Sequence, residues 1–253
     1  MRILVGLVCL VAVVTASKFD FEIEVLEKHT RFSQKIATDL NENQVFYDTP
    51  AHNDVFESHV IQDFKQGLQL SCVTSLRECH LTDIDLENYP NAGNTTEGIV
   101  HMWNKGVNSI VDEASTLVEH KLILTGTEIV NTAFLSLEMR SMLTKFGFPL
   151  YKAEPIPKDA VVEKLKYAPR HKRQTGGLNQ FDCGTQEPEV KYGYTDGRSC
   201  NHLFLCQPRT DSNGGVTCGN RHITVNLFYR CLCCPGHFTL NDPKNCQCFR
   251  FGA

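Results

Sequence analysis

The sequence predicts an α+β domain, a β-sheet with two flanking helices, followed by a small disulfide-rich module that is mainly β. Three observations predict this fold class. Apolar and polar residues alternate with period two in "FDFEIEV" and "NQVFYDT", which is typical of half-buried strands. Apolar residues recur at helical spacing between residues 94 and 121, and nine of the 12 cysteines follow Arg173.

Residues 1–17 have the layout of a secretory signal peptide. One arginine precedes an apolar run over residues 3–14, and small residues follow at Ala16 and Ser17. The run is shorter than the roughly 18–20 apolar residues that span a bilayer, and no other segment approaches that length. We therefore expect a secreted, extracellular protein with no membrane span after removal of the signal peptide.

Charge and cysteine content divide the rest of the chain near Arg173. Residues 18–173 carry 17 basic and 23 acidic residues, whereas residues 174–253 carry 7 basic and 6 acidic residues. Neither half has the basic excess of a nucleic-acid-binding protein. The predicted units are an N-terminal β linker region (18–56), the α+β domain (57–153), a linker (154–173) and the cysteine-rich module (174–253).

The linker contains the basic stretch "RHKR". Arg170, Lys172 and Arg173 form the Arg-x-Lys-Arg pattern, which resembles the recognition site of furin-like proprotein convertases. Exposed linkers are preferred sites of proteolysis, so the pattern favours cleavage after Arg173. The alternative is a solvated cluster of charges that no protease uses.

A hairpin is predicted around the only two cysteines between the signal peptide and Arg173. A loop over residues 73–78 would place Cys72 opposite Cys79, within reach of a disulfide in an oxidising compartment. The alternative is a pair of buried, unbridged thiols.

Two helices are predicted after this hairpin. The first lies within residues 94–121, with Ile99, Trp103, Val107, Ile110, Ala114 and Leu117 on one face. Asn94 begins the N-glycosylation sequon Asn-Thr-Thr, which we expect on the loop before this helix. "KLILTGTEIV" is then a strand, "NTAFLSLEMRSMLTKFG" a helix that Gly147 ends, and "PLYKAEPI" a final strand.

These motifs together resemble the BRICHOS family of proproteins, which includes precursors of chondromodulin, tenomodulin, gastrokine and lung surfactant protein C. The resemblance rests on "PAHNDVFESHVIQDFKQGL", on a cysteine sixteen residues after the aspartate of "DF", and on "GFPLYKAE" after the second helix. It maps the family's aspartate to Asp63 and its first cysteine to Cys79. Lys145 stands at the position of the second cysteine, so a Cys72–Cys79 bridge would replace the family's long-range disulfide.

The resemblance implies a propeptide that acts as an intramolecular chaperone for a β-prone segment of its own precursor. Residues 222–234, "HITVNLFYRCLCC", have the high β-propensity and low charge expected of such a client. The sheet could cover this segment by adding it as a further strand. If Asp63 is buried, burial would raise the pKa of its carboxyl group and link release of the client to the acidity of the secretory route. The alternative is an Asp63 that is solvated or bonded to backbone amides.

The cysteine-rich module has the composition of a secreted disulfide scaffold. An odd number of cysteines leaves one for a disulfide-linked dimer or for temporary pairing with the propeptide. Its nine cysteines are Cys183, Cys200, Cys206, Cys218, Cys231, Cys233, Cys234, Cys246 and Cys248.

Other functions are disfavoured by missing motifs. Cys231 and Cys234 have the Cys-x-x-Cys spacing of an oxidoreductase, but no βαβ pattern lies beside them. His202, His222 and His237 could bind zinc together with cysteines, but in a secreted module the cysteines are expected to form disulfides. No catalytic motif is present, so we expect no enzyme activity, cofactor or metal. The alternatives are an uncleaved matrix or mucosal structural protein with an extracellular receptor or matrix partner, and the precursor of a secreted defence peptide or toxin.

Overall fold

The structure, a computed structural model, describes residues 17–87, 89–107, 109–111, 116–125, 128–156, 162–164, 190–204, 208–210, 216–218 and 221–233. Within these residues, twelve strands form one mixed sheet, beside two helices of 13 and 10 residues. The expected α+β fold is therefore wrong, because the sheet dominates. Strands from both sides of Arg173 share this sheet, and the division of the chain into domains stays a prediction.

The first six strands form an antiparallel meander. Each strand pairs with the next along the chain, so neighbours in sequence are neighbours in the sheet. The strands are β1 (Lys18–Glu27), β2 (Thr30–Asp39), β3 (Gln44–Thr49), β4 (Ser58–Asp63), β5 (Leu68–Val73) and β6 (Glu78–Asp83).

Short turns permit this meander. Gly67, with φ 68°, lies in the turn between β4 and β5, where a positive φ favours glycine. Asn43 and Arg77 adopt positive φ in the turns before β3 and before β6. Two to eight residues separate consecutive strands, so pairing costs little loop-closure entropy.

The remaining elements include six strands that extend the sheet on both sides. They are α1 (Ala92–Asn104), β7 (Ser109–Val111), β8 (Thr116–Thr125), α2 (Leu137–Phe146), β9 (Leu150–Pro155), β10 (Val162–Lys164), β11 (Val190–Phe204), β12 (Pro208–Thr210), β13 (Val216–Cys218) and β14 (Arg221–Cys233). The sheet order is β10-β11-β14-β8-β9-β6-β5-β4-β3-β2-β1-β7, and β12 pairs with β13 in a separate ribbon.

The sheet carries one helix on each face. Along β4, Val60 packs in the cluster that includes Ile99 and Met102 of α1. Its neighbour Ile61 packs in a second cluster with Met139 of α2. Because successive strand residues point to opposite faces, these two clusters lie on opposite sides of the sheet.

The first predicted helix is too long. Helix α1 ends at Asn104, and Gly106 follows with φ 75°, which breaks the helical path. Ile110 then lies in β7 and Leu117 in β8. The helical spacing of apolar residues continues beyond Gly106, which is why the predicted helix was too long. The stretch after Gly106 is nevertheless rich in β-branched residues, which pack well in strands.

The second predicted helix begins later than expected but ends where the sequence indicates. Residues 131–136 precede the helix, which begins at Leu137. Gly147 has φ 61°, and its N–H donates to the Leu143 carbonyl oxygen at 2.8 Å. This left-handed glycine is a common helix C-terminal signal.

Candidate strand-pairing site

The predicted client segment lies beside β8. β14 pairs with β8 in parallel over eight positions, from His222 opposite Thr116 to Tyr229 opposite Ile123. β9 pairs with β8 only from Leu122 onward, so among the described strands the first half of β8 pairs with β14 alone. A free strand edge offers unpaired N–H and C=O groups, and β14 covers one edge of β8.

Buried side chains lie in the middle of this ladder. Asn226 and Leu227 of β14 are 3% and 8% exposed. Leu122 of β8 belongs to an apolar cluster with Val73 and Ala153, which connects the ladder to the core of the meander. The pairing is therefore part of the packed structure.

Tyr89 and His120 form a polar pair beside the ladder, where His120 of β8 is opposite Asn226 of β14. Tyr89, in the segment before α1, shares a hydrogen bond of 2.8 Å between its hydroxyl and His120 Nε2. Burial lowers the pKa of His120, and the carboxylate of Asp85 acts in the opposite direction. Sequence reasoning missed this pair, since Tyr89 and His120 are 31 residues apart and belong to no motif.

Asp63 lies at the end of β4, away from β14. It is buried, and its Oδ1 accepts hydrogen bonds from the backbone N–H groups of Lys65 and Gln66, each at 3.0 Å. Its Oδ2 accepts from Gln44 Nε2 at 2.8 Å. Asp63 therefore closes the β4–β5 turn, and four strands separate β4 from β14 in the sheet.

Asp39 has the same role at the adjacent turn. Its Oδ1 accepts from the backbone N–H groups of Asn41 and Glu42, and its Oδ2 pairs with Lys18 Nζ at 3.0 Å. The pKa of Asp39 is lowered because these donors outweigh the effect of its burial. Asp39 and Asp63 thus each stabilise the turn that follows their strand.

The predicted disulfide is present. Cys72 and Cys79 are opposite each other in the β5–β6 hairpin, with Cα atoms 4.0 Å apart, and both are fully buried. In the C-terminal part, Cys200 lies in β11 and Cys218 in β13, and Cys231 and Cys233 lie in β14. Cys183, Cys206, Cys234, Cys246 and Cys248 lie outside the described residues.

Of the other predicted sites, Asn94 and Lys145 lie in helices. Asn94 is exposed in the first turn of α1 and not on a preceding loop, and its N–H donates to Asn91 Oδ1. Lys145 lies in the last turn of α2. The basic residues Arg170, Lys172 and Arg173 lie outside the described residues, and so do residues 1–16 of the predicted signal peptide.

A groove of about 420 Å³ crosses β1, β2 and β3. Its lining includes Glu22, Lys35 and Asp48, and the register places Lys35 opposite both carboxylates. His59 Nδ1 donates to Asp48 Oδ1 at 2.6 Å, a bond that lowers the pKa of Asp48. These charges compensate one another across strands and do not converge on a ligand.

No group of three or more His, Cys, Asp or Glu in the described part of the chain is arranged to hold a metal ion. Within the same ranges, neither helix has the length and apolar character required to cross a membrane. No protein-family model, curated protein or solved structure matches this chain.

Proposed function

We propose that this protein is a secreted proprotein in which the region before Arg173 holds the β-prone segment 222–234 by strand addition, and that a furin-like protease releases a disulfide-rich product. The observation that supports the proposal is the parallel pairing of β14 with β8 over eight positions. The pairing covers residues 222–229, which are eight of the 13 residues in the segment that composition marks as aggregation-prone.

Strand addition suits this role physically. Backbone hydrogen bonds hold an extended segment with little dependence on its side chains, and they occupy edge groups that would otherwise pair with another copy. The buried Leu227 contributes apolar contact. The BRICHOS resemblance implies the same chaperone role, but the proposal depends on the ladder and not on the expected α+β fold.

A structural protein that is never cut is the second candidate. It is favoured by the shared sheet, in which β11 and β14 are neighbours of strands from the region before Arg173. Mass spectrometry of the secreted product separates the two candidates. A new amino terminus at Gln174 supports processing, whereas intact chains alone support the structural role.

The chaperone role is tested by secretion of residues 174–253 with and without residues 18–173. We expect aggregated or wrongly bridged product without the N-terminal region. Efficient secretion of a uniformly bridged fragment alone would contradict the proposal.

A matched pair of full-length variants tests the ladder itself. Leu227→Lys places a charge at a buried position of β14 and should lower the yield of correctly bridged protein. Val130→Lys makes a similar change at a side chain that is 84% exposed, and it should leave the yield unchanged. Equal yields from the two variants would indicate that the ladder does not hold the segment.

A further inference from the structure

The hairpin formed by β11 and β14 lies between two strands of the region before Arg173. The order is β10-β11-β14-β8, so β10 flanks one edge of the hairpin and β8 flanks the other. β10 pairs with β11 in parallel at three positions, from Val162 opposite Tyr192 to Lys164 opposite Tyr194. Both flanking strands precede the basic stretch in sequence, and both hairpin strands follow it.

Cleavage after Arg173 would break none of these contacts. The peptide that connects β10 to β11 runs through residues 165–189, which contain the basic stretch. The β10–β11 and β8–β14 ladders lie outside that segment. Among the described cysteines, the disulfide joins Cys72 to Cys79, and both belong to the region before the cut.

We propose that cleavage after Arg173 leaves a non-covalent two-chain complex, in which the β11–β14 hairpin stays clamped between β8 and β10 and is released in a separate step. The proposal rests on the processing in the proposed function, but its test does not depend on cleavage in cells. The partner of the N-terminal chain is the hairpin of its own product.

The two edges of the clamp differ in extent. β8 pairs at eight positions beside the buried residues Asn226 and Leu227, whereas β10 pairs at three positions. The β10 edge should therefore open first, and separation from β8 should limit release. Once released, the hairpin presents two free edges, so the clamp also determines when the product can pair with other strands.

The test uses the full-length protein with residues 170–173 replaced by the recognition sequence of a specific laboratory protease. The purified chain is cut in vitro and analysed by native gel filtration and by non-reducing denaturing electrophoresis. We expect the two chains to elute together under native conditions and to separate under denaturing conditions. Separate native elution would overturn the proposal, and so would a single non-reducing band, which would indicate a disulfide link.

Variants and hydrogen exchange locate the clamp. Leu227→Lys should increase the fraction of separated chains after the cut, and Val130→Lys should not. Leu227→Lys can also prevent folding. Amide exchange of residues 221–229 is therefore also measured, before and after the cut, in the cleavable protein that keeps Leu227. Retained protection supports the clamp, and loss of protection on cutting overturns it.

Discussion

Tyr89 and His120 connect the segment before α1 to β8, the strand with which β14 pairs. Their hydrogen bond of 2.8 Å lies at the ladder position where His120 is opposite Asn226. A titratable ring thus stands beside the proposed client strand. We therefore expect the pairing of β14 with β8 to depend on pH.

Acidification should weaken the β8–β14 pairing. Burial lowers the pKa of His120, and separation of β14 would hydrate the ring and return its pKa toward about 6.5. The separated state then binds the proton more readily, so the pairing is fully stable above pH 6.5 and loses stability as the pH falls below it. Protection factors of residues 221–229, corrected for intrinsic exchange, should decrease between pH 7.5 and 5.5.

His120→Gln is the control for this pH dependence, because it removes the titrating group. It should flatten the change in protection factors, and an unchanged pH profile in this variant would assign the effect to another group. Asp85 and Tyr89 also act on His120, through charge and through a hydrogen bond. Asp85→Asn should strengthen the pH effect, because it removes the charge that raises the pKa of His120.

Replacement of Asp63 should destabilise the sheet. Asp63→Ala leaves the N–H groups of Lys65 and Gln66 and the amide of Gln44 without their acceptor, at a cost of about 2–3 kcal/mol. Urea unfolding measures this loss. Glu42→Gln is the control, because its pair with Lys65 is half-exposed and should contribute less than about 1 kcal/mol. If both variants unfold at the same urea concentration, Asp63 does not stabilise the turn.

Removal of the Cys72–Cys79 bridge should lower stability by about 2–3 kcal/mol, because the bridge closes a short loop and restrains the unfolded chain. The double variant Cys72→Ala, Cys79→Ala is compared with the wild type in urea without reductant. Both side chains are fully buried, so some of the loss comes from packing. Equal urea midpoints for the double variant and the wild type would contradict this prediction.

Loss of Thr96 should affect both glycosylation and stability. Its hydroxyl donates to the Ala92 carbonyl oxygen at 2.8 Å and lies 2.7 Å from the Thr38 hydroxyl. Thr96→Val removes the sequon and these bonds, at a cost of about 1–2 kcal/mol. Asn94→Gln removes the sequon alone and should leave the urea midpoint unchanged.

The buried position of Thr96 also has a consequence for timing. A sequon is recognised through its hydroxyl residue, and this hydroxyl is buried once α1 forms. Any glycan at Asn94 should therefore be attached before folding. Glycosylation of the purified, folded protein in vitro would contradict this expectation.

Several local features were predictable because neighbouring residues determine them. The alternation in "FDFEIEV" and "NQVFYDT" corresponds to β1 and β3, and Gly147 ends α2. The spacing of Cys72 and Cys79 fits one hairpin. β2 was missed because its buried positions include the polar residues Gln34 and Thr38, which obscure the period-two pattern.

The sequence by itself determined the Cys72–Cys79 hairpin, the end of α2 and the β-prone character of residues 222–234, since each depends on residues close together in the chain. Only the tertiary structure decided that β14 pairs with β8 and that β10 and β8 enclose the hairpin. Pairing between strands about a hundred residues apart depends on which edges remain free after the meander has formed, and local periodicity contains no information on that choice.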